Sequence, residues 1–589
     1  MRLQLFILLF ASFLSLSSWA QKESDFTFDS STGTITAYKG TVKNVVIPDQ
    51  IGGVNVTTIG AEAFAGKKLT GVVISDNVTT IEEYAFVSNG LKTVVIPNSV
   101  TTMKEYAFAY NKLTSVDISN KLKLLDEFVF TENQLTKVVI PESVTSIGYS
   151  AFSHNKLESV KISSNVTEIG AFAFINNQLW SVVIPDKVIT IGDAAFRDNE
   201  LHKVVNSKNV TMIGHFAFYN NSIGSIELSE GLTFLGVSAF QTNSLSSIII
   251  PSSLDSIRRD AFSENRLTSI TIPESVVAIG DFAFNSNQLT SVDIPSSVTL
   301  LGTGAFSYND LTSVEIPEGV TEISPKLFKF NRLASVVIPE GVTSIGHSAF
   351  NTNVLTEILI PENVTVIGDE AFYHNELTKV EIPEGVTSIG EKAFRENKLT
   401  SITIPESVTD IGAYSFENNQ LTFLEISMSM PSSFSYTLAR LLKYKSYLSA
   451  RETIIGHNAF ANNRLTYIEI PERVTSITSS AFENNKLTSV ILPESTKYIG
   501  ADAFRGNQLK SVVIPSNVTT LRKGAFSDNY ITKMTFEGCD LSSFQLPTSK
   551  MLNDVYTWMY LSNGGDDDTL VFGGKATLFD GEYTAKPHQ

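Results

Sequence analysis

LTKVVIPESVTSIGYSAFSHN, residues 135–155, decides the fold, because nearly the same line returns every 22 residues. Phe152 has counterparts from Phe64 through Phe86 and Phe108 to Phe526, and only Leu438 breaks the series. A short fixed period means stacked supersecondary units, each of which buries its apolar side chains only against its neighbours. Within the copy, Val138 and Ile140 alternate with Lys137 and Val139, the pattern of a short strand with one face inward. Pro141 ends that strand because it has no N–H for a ladder, and 14 of the 19 prolines fall in this slot. Val144 and Ile147 turn inward again, Gly148 permits a bend, and Ala151 is small beside Phe152.

Asn155 closes the unit, and its counterpart is asparagine in all copies except at Lys67 and Leu441. An amide both donates and accepts, so an asparagine file can satisfy turn backbone and its own members along a stack. The competing use, a sugar-binding row, has no further residue in its favour. The expected fold is therefore a mainly β repeat solenoid, a curved stack of about 22 coils with a parallel sheet on one face. Phe152, Asn155, Phe284 and Asn287 are its expected structural residues.

The recurring line LTSVxIPxSVTxIGxxAFxxN resembles the BspA-like bacterial leucine-rich repeats, relatives of the Treponema-type repeat, over about residues 45–536. The chain departs from the Treponema-type pattern in carrying asparagine where cysteine is common, and in a period of 22 rather than 23. The resemblance implies a secreted or surface-attached bacterial protein of the adhesin or host-interaction kind, right-handed in its coiling. It implies no particular ligand.

Residues 1–20 have the form of a secretory signal: Arg2, an apolar run from Leu5 to Leu16, and small residues at Ser18 and Ala20. That run is too short for a membrane anchor, and no later one follows, so no transmembrane segment is expected after signal removal. A secreted or cell-surface location follows. The lone cysteine, Cys539, excludes an intrachain disulfide, and the signal region has no cysteine for a lipid anchor. A net charge of −17 argues against nucleic acid as partner. Residues 21–50 are expected to form an N-terminal cap built on a hairpin, with the solenoid at 51–536. Residues 537–589 lose the period and suggest a cap or small β-rich module. Asp566, Asp567 and Asp568 lack the alternating spacing of a calcium loop, so a solvated turn is the simpler assignment.

Residues 428–453 interrupt the pattern without losing register. Leu438, Leu441, Leu442 and Leu448 recur at helical spacings, and Arg440, Lys443, Lys445 and Arg451 make the stretch basic. It is either a decayed repeat still packing its leucines inside or a dedicated binding insert. Phe423 and Tyr467 replace the usual serine of the strand face one copy either side of it, with Tyr444 and Tyr447 between. Exposed aromatics beside cations have the composition of a binding hot spot, so Phe423, Tyr444, Lys445, Tyr447 and Tyr467 are the candidate ligand residues. A second candidate is the acidic file after the strand prolines, longest from Glu318 through Glu340, Glu362 and Glu384 to Glu406, as a cation or basic-partner site or simply a solvated rim.

Nothing in the sequence points to chemistry. The seven histidines stand in no metal or triad arrangement, three of them (His215, His347, His457) at equivalent positions expected on the solvent side. There is no phosphate-binding loop, dinucleotide fingerprint or zinc-protease motif. The expectation is a non-enzyme without cofactor, metal or catalytic residue, binding an extracellular protein or glycan. The alternative is a structural extracellular component with no specific ligand, and an enzyme stands third.

Overall fold

The 22-residue line closes into a coil with three sides. In the copy above, the strand Lys137–Val139 forms the first side and the strand Ser146–Ile147 the second. Leu135, Val138, Ile140, Val144, Ile147, Ala151 and Phe152 all point inward and are at most 2% exposed. Burying each large member contributes roughly 1.5–3 kcal/mol before chain entropy is subtracted. Both strands pair in parallel with the next coil, Lys137 with Ser159 and Ser146 with Glu168. The third side directs its N–H groups one way: Ser150, Phe152 and His154 donate to the carbonyls of Ala171, Ala173 and Ile175.

That third side needs two left-handed residues per coil, two places before and two after the phenylalanine. Here they are Ser150, φ 52°, and His154, φ 54°, and the same pair recurs along the stack on almost any residue type. Gly148 has a different role from the expected bend. Its φ is ordinary, but a Cβ there would lie 2.7 Å from the Leu125 carbonyl oxygen of the preceding coil. Glycine is needed because two backbones touch.

The computed structural model describes residues 21–427, 452–522, 524–531, 533–536, 569–571 and 582–584. Its coils fall into two units, Met1–Leu254 with Asp260–Arg266, and Asp255–Arg259 with Leu267–Gln589. Each has a phenylalanine file as its axis, with ring centroids 5.0–6.0 Å apart in the first and 5.2–6.0 Å in the second. Phe152 and Phe284 are fully buried. The asparagines bond backbone rather than one another. Asn155 Nδ2 donates to the carbonyls of Phe130, Phe152 and Ser153, and its Oδ1 accepts the Leu135 N–H. Asn287 likewise donates to Phe284 and Asn285 and accepts from Leu267.

In the first unit, Phe26–Asp29 pairs antiparallel with Thr34–Tyr38 and covers the open edge, where Tyr38 stacks on Phe64 at 5.4 Å. In the second, the strands Thr569–Val571 and Glu582–Thr584 add antiparallel to Thr520–Arg522 and Lys533–Phe536.

The described coils on either side of the interruption are direct neighbours. Phe416 stacks directly on Phe460, 5.3 Å away and 2° from parallel. Asn463 makes its usual bonds across the same step, to the Phe416 carbonyl and from the Leu421 N–H. The described stack therefore has about 21 turns against the 22 expected. Instead one coil is assembled from both sides of the segment, with Phe423–Ile426 as its first strand and Thr453–Ile455 as its second. Seven positions separate Ile404 from Ile411 in the coil before, whereas 29 separate Ile426 from Ile455. The excess is one period, which keeps the sequence in phase. Residues 428–451 themselves lie outside the described residues.

Arg473 closes a corner of that coil. Its position is mostly a small or amide residue elsewhere, as at Ser143, Asn165, Gly341 and Ser407. Its Nη1 donates to the carbonyls of Glu406 and Val408 and to Thr453 Oγ1, and its Nη2 donates to the Pro405 carbonyl. One planar guanidinium thus supplies donors where the coil lacks its proline-led turn. Burial pushes its pKa down, opposed by the charges of Glu406 and Glu384.

Candidate ligand-binding face

Alternation on the first strand of each coil leaves two outward positions, and stacking turns them into two files along the solenoid. Phe423 and Tyr467 belong to the first file and stand on neighbouring strands. Both are exposed, 54% and 47%. Glu425 and Glu469 share their strands in the second file, and Tyr467 donates to Glu469 Oε2 at 3.3 Å. The described surroundings of the pair are therefore acidic. Tyr444, Lys445 and Tyr447 lie outside the described residues.

The acidic file at the strand corners runs along exposed turns. Glu142, an early member, accepts from Ser164 and Ser163 of the next coil, and these hydrogen bonds, led by the Ser164 hydroxyl, lower its pKa. Among the described residues no group of three or more His, Cys, Asp or Glu is placed to hold a metal ion. His215 is less open to solvent than expected: its Nδ1 accepts the Val237 N–H at 2.9 Å, and its ring meets Phe234 edge-on. It ties two coils together.

Sequence reasoning passed over two features. Tyr84, Tyr106, Phe128, Tyr149 and Phe172 form an aromatic file on the third side, with centroids 4.4–5.1 Å apart. Its rings cover one another, so it buttresses the coil turns. Partial loss of hydration raises the pKa values of Tyr84 and Tyr106, and the nearby glutamates Glu105, Glu83 and Glu127 add to this. The other feature is on the strand face of the first unit, where Val95, Val139, Val183, Val205 and Ile249 stand in the second file at 44–77% exposure. Trp180, 56% exposed, stacks on His202 beside them at 5.5 Å. The valines were visible in the sequence, two places before the strand-proline slot, which is Ser207 after Val205. Attention to the serine file alone concealed them.

The BspA type leucine-rich repeat region matches in six copies, at residues 57–179, 125–244, 167–281, 255–377, 365–449 and 447–556. The chain belongs to the BspA-type leucine-rich repeat proteins. Among solved structures it is similar to a leucine rich cell surface protein from Faecalibacterium prausnitzii, at 26% identity over 58% of this chain and 95% of that one, TM-score 0.36. It is similar also to a leucine-rich repeat protein from Bacteroides ovatus, at 18% identity over 87% and 97%, TM-score 0.23. YopM from Yersinia enterocolitica matches at 18% identity over 77% and 88%, TM-score 0.41. A search of curated proteins finds no match. No helix among the described residues of this BspA-type chain is long and apolar enough to cross a membrane.

Proposed function

We propose that this BspA-type chain is a secreted or cell-surface bacterial protein that binds an extracellular protein or glycan on its strand face, as an adhesin or matrix-interaction protein does, and catalyses nothing. The observation that carries this reading is the juxtaposition of Phe423 and Tyr467. Two large exposed rings stand on neighbouring strands where nearly every other coil carries serine, threonine or a charge. Rings lose little entropy on contact and supply most of the energy of compact interfaces. Tyr444, Lys445 and Tyr447 are proposed to complete the same patch. The signal-like residues 1–20 and the cell-surface description of the Faecalibacterium protein support export.

The test uses residues 21–589 displayed against extracellular matrix proteins and glycans. Replacing Phe423, Tyr447 and Tyr467 with serine should abolish capture of whatever the wild type retains, with an unchanged far-UV circular dichroism spectrum. Capture that survives this change but disappears when Glu318, Glu340, Glu362 and Glu384 become glutamine would move the site to the acidic corners. A wild-type protein that enriches nothing specifically would sink the binding reading altogether.

A further inference from the structure

We propose that the strand face from Lys137 to Val205 is a second docking site, for an acidic polypeptide segment carrying apolar side chains. The inference rests on the strand face being the ligand face but assigns a different place and an opposite charge. Four consecutive coils build it. Val139 pairs with Lys161, Lys137 with Ser159, Val183 with Val205 and Ser181 with Lys203, so all eight stand on two adjoining files. Val183 is 60% exposed at the centre, with Lys161 on the coil before it and Lys203 on the coil after.

Charge complementarity selects the occupant. Lys137, Lys161 and Lys203 are all exposed, and none lies within ion-pair distance of a carboxylate among the described residues, though Lys161 is near enough to Glu142 to help lower its pKa. Glu158 is the one carboxylate on the outward strand positions of these four coils, with Glu142 and Asp186 at the corners beyond, so the strand positions themselves are cationic within a chain of net charge −17. Cations left unpaired around hydrocarbon attract an anionic partner and steer its approach. The hydrocarbon decides which anion. Three β-branched side chains and the Trp180 indole gain by covering with apolar groups, which an acidic peptide brings and a sulfated glycan lacks.

Trp180 makes the test local, because in a Trp558→Phe background it is the sole tryptophan of residues 21–589. The probes are a fluorescein-labelled glutamate–tyrosine copolymer, the matching lysine–tyrosine copolymer, and heparin. Saturable binding of the acidic copolymer with a shift in Trp180 emission is expected, weakening as salt rises because screening shortens the reach of the lysines. Lys137→Glu with Lys161→Glu and Lys203→Glu should weaken it about tenfold or more. Val183→Ser with Val205→Ser should weaken it as well, while Phe423→Ser with Tyr467→Ser should leave it unchanged. All these positions are exposed, so circular dichroism is expected to stay constant. The proposal is overturned if the acidic copolymer shows no saturable binding, or if the lysine–tyrosine copolymer binds equally. It is overturned too if heparin binds at the lysines and the valine substitutions change nothing, which would make the site a glycan site. Loss of copolymer binding only in the Phe423 and Tyr467 variant would refute this placement while leaving the strand-face reading intact.

Discussion

The strand faces of the two units have the same geometry and a different balance of side chains. In the first, the second outward file is mostly apolar, with Val95, Val139, Val183, Val205 and Ile249 against Asp117 and Glu227; in the second, Asp293, Glu315, Glu381, Glu425 and Glu469 share it with Val337, Leu359, Ile491 and Val513. Behind both faces the interior repeats almost without change. Inward positions are fixed by close packing against two neighbours, whereas outward positions on a solenoid answer only to solvent and ligand. What distinguishes the two units is thus written in residues that the repeat does not constrain.

The comparison breaks most severely if the interiors are not equivalent. Phe152→Ala in the first unit and Phe284→Ala in the second should each cost about 3–5 kcal/mol locally, because the neighbouring coils cannot close the cavity. Urea unfolding with limited proteolysis should show the same loss at both sites. Unchanged protease resistance around either coil would mean that its phenylalanine is not a core member.

The next effect belongs to the second unit alone. Arg473→Ala strips four donated hydrogen bonds from one part-buried corner and takes the guanidinium from the Glu406 carbonyl, at a cost of about 3 kcal/mol. Arg473→Lys should recover only part, since an ammonium cannot reach the Pro405 and Val408 carbonyls with one planar fork. Hydrogen exchange should quicken in the coils of Phe416 and Phe460 and nowhere in the first unit. Equal protection in wild type and Arg473→Ala would show that the corner is held by something else.

Much of this fold was legible in advance because the inward residues repeat at a constant spacing. Phe152, Asn155 and the proline at 141 each have one job per coil, so their period fixes their role. The left-handed residues were not legible: serine, histidine, lysine and phenylalanine all occupy those positions, and backbone bonding to the next coil holds them there. The interruption misled for a different reason. A segment one period too long looks in sequence like one more coil, and only the direct stacking of Phe416 on Phe460 separates the two. Of the candidate ligand residues, Phe423 and Tyr467 were found as breaks in a serine file. The valine and lysine face was missed because valine on a strand looks like core until the coil shows which way it points.

A smaller effect tests whether the turn ladder is common to both units. Asn155→Leu and Asn287→Leu should each destabilise by roughly 1–3 kcal/mol, since each orphans a buried N–H, that of Leu135 or Leu267, and takes one donor from carbonyls such as Phe152 and Phe284 that the next asparagine still serves. Asn155→Asp would sharpen the point, because a carboxylate still accepts from Leu135 but repels the carbonyls of Phe130 and Phe152. Chemical denaturation should rank the aspartate no better than the leucine. A neutral leucine substitution in either unit would show that the amide is dispensable there.

The smallest effect is a gain. Thr242 in the first unit and Thr352 in the second both hold φ at 56°, where a β-branched side chain crowds its own backbone. The same coil position is asparagine at Asn176, Asn220, Asn418 and Asn462, a residue that tolerates the left-handed region. Thr242 donates to Glu264 Oε2 and Thr352 to Asn351 Oδ1, both through side chains near the surface, where losing one hydrogen bond costs little. Relief of strain should therefore outweigh the lost contact, and Thr242→Asn and Thr352→Asn should each stabilise by about 0.5–1 kcal/mol. The increments should add, because the two sites lie in different units and share no partner. A higher urea midpoint for each single variant and their sum in the double variant is the expected result. A gain at one site and a loss at the other would mean that the turn sides of the two units, unlike their cores, are not interchangeable.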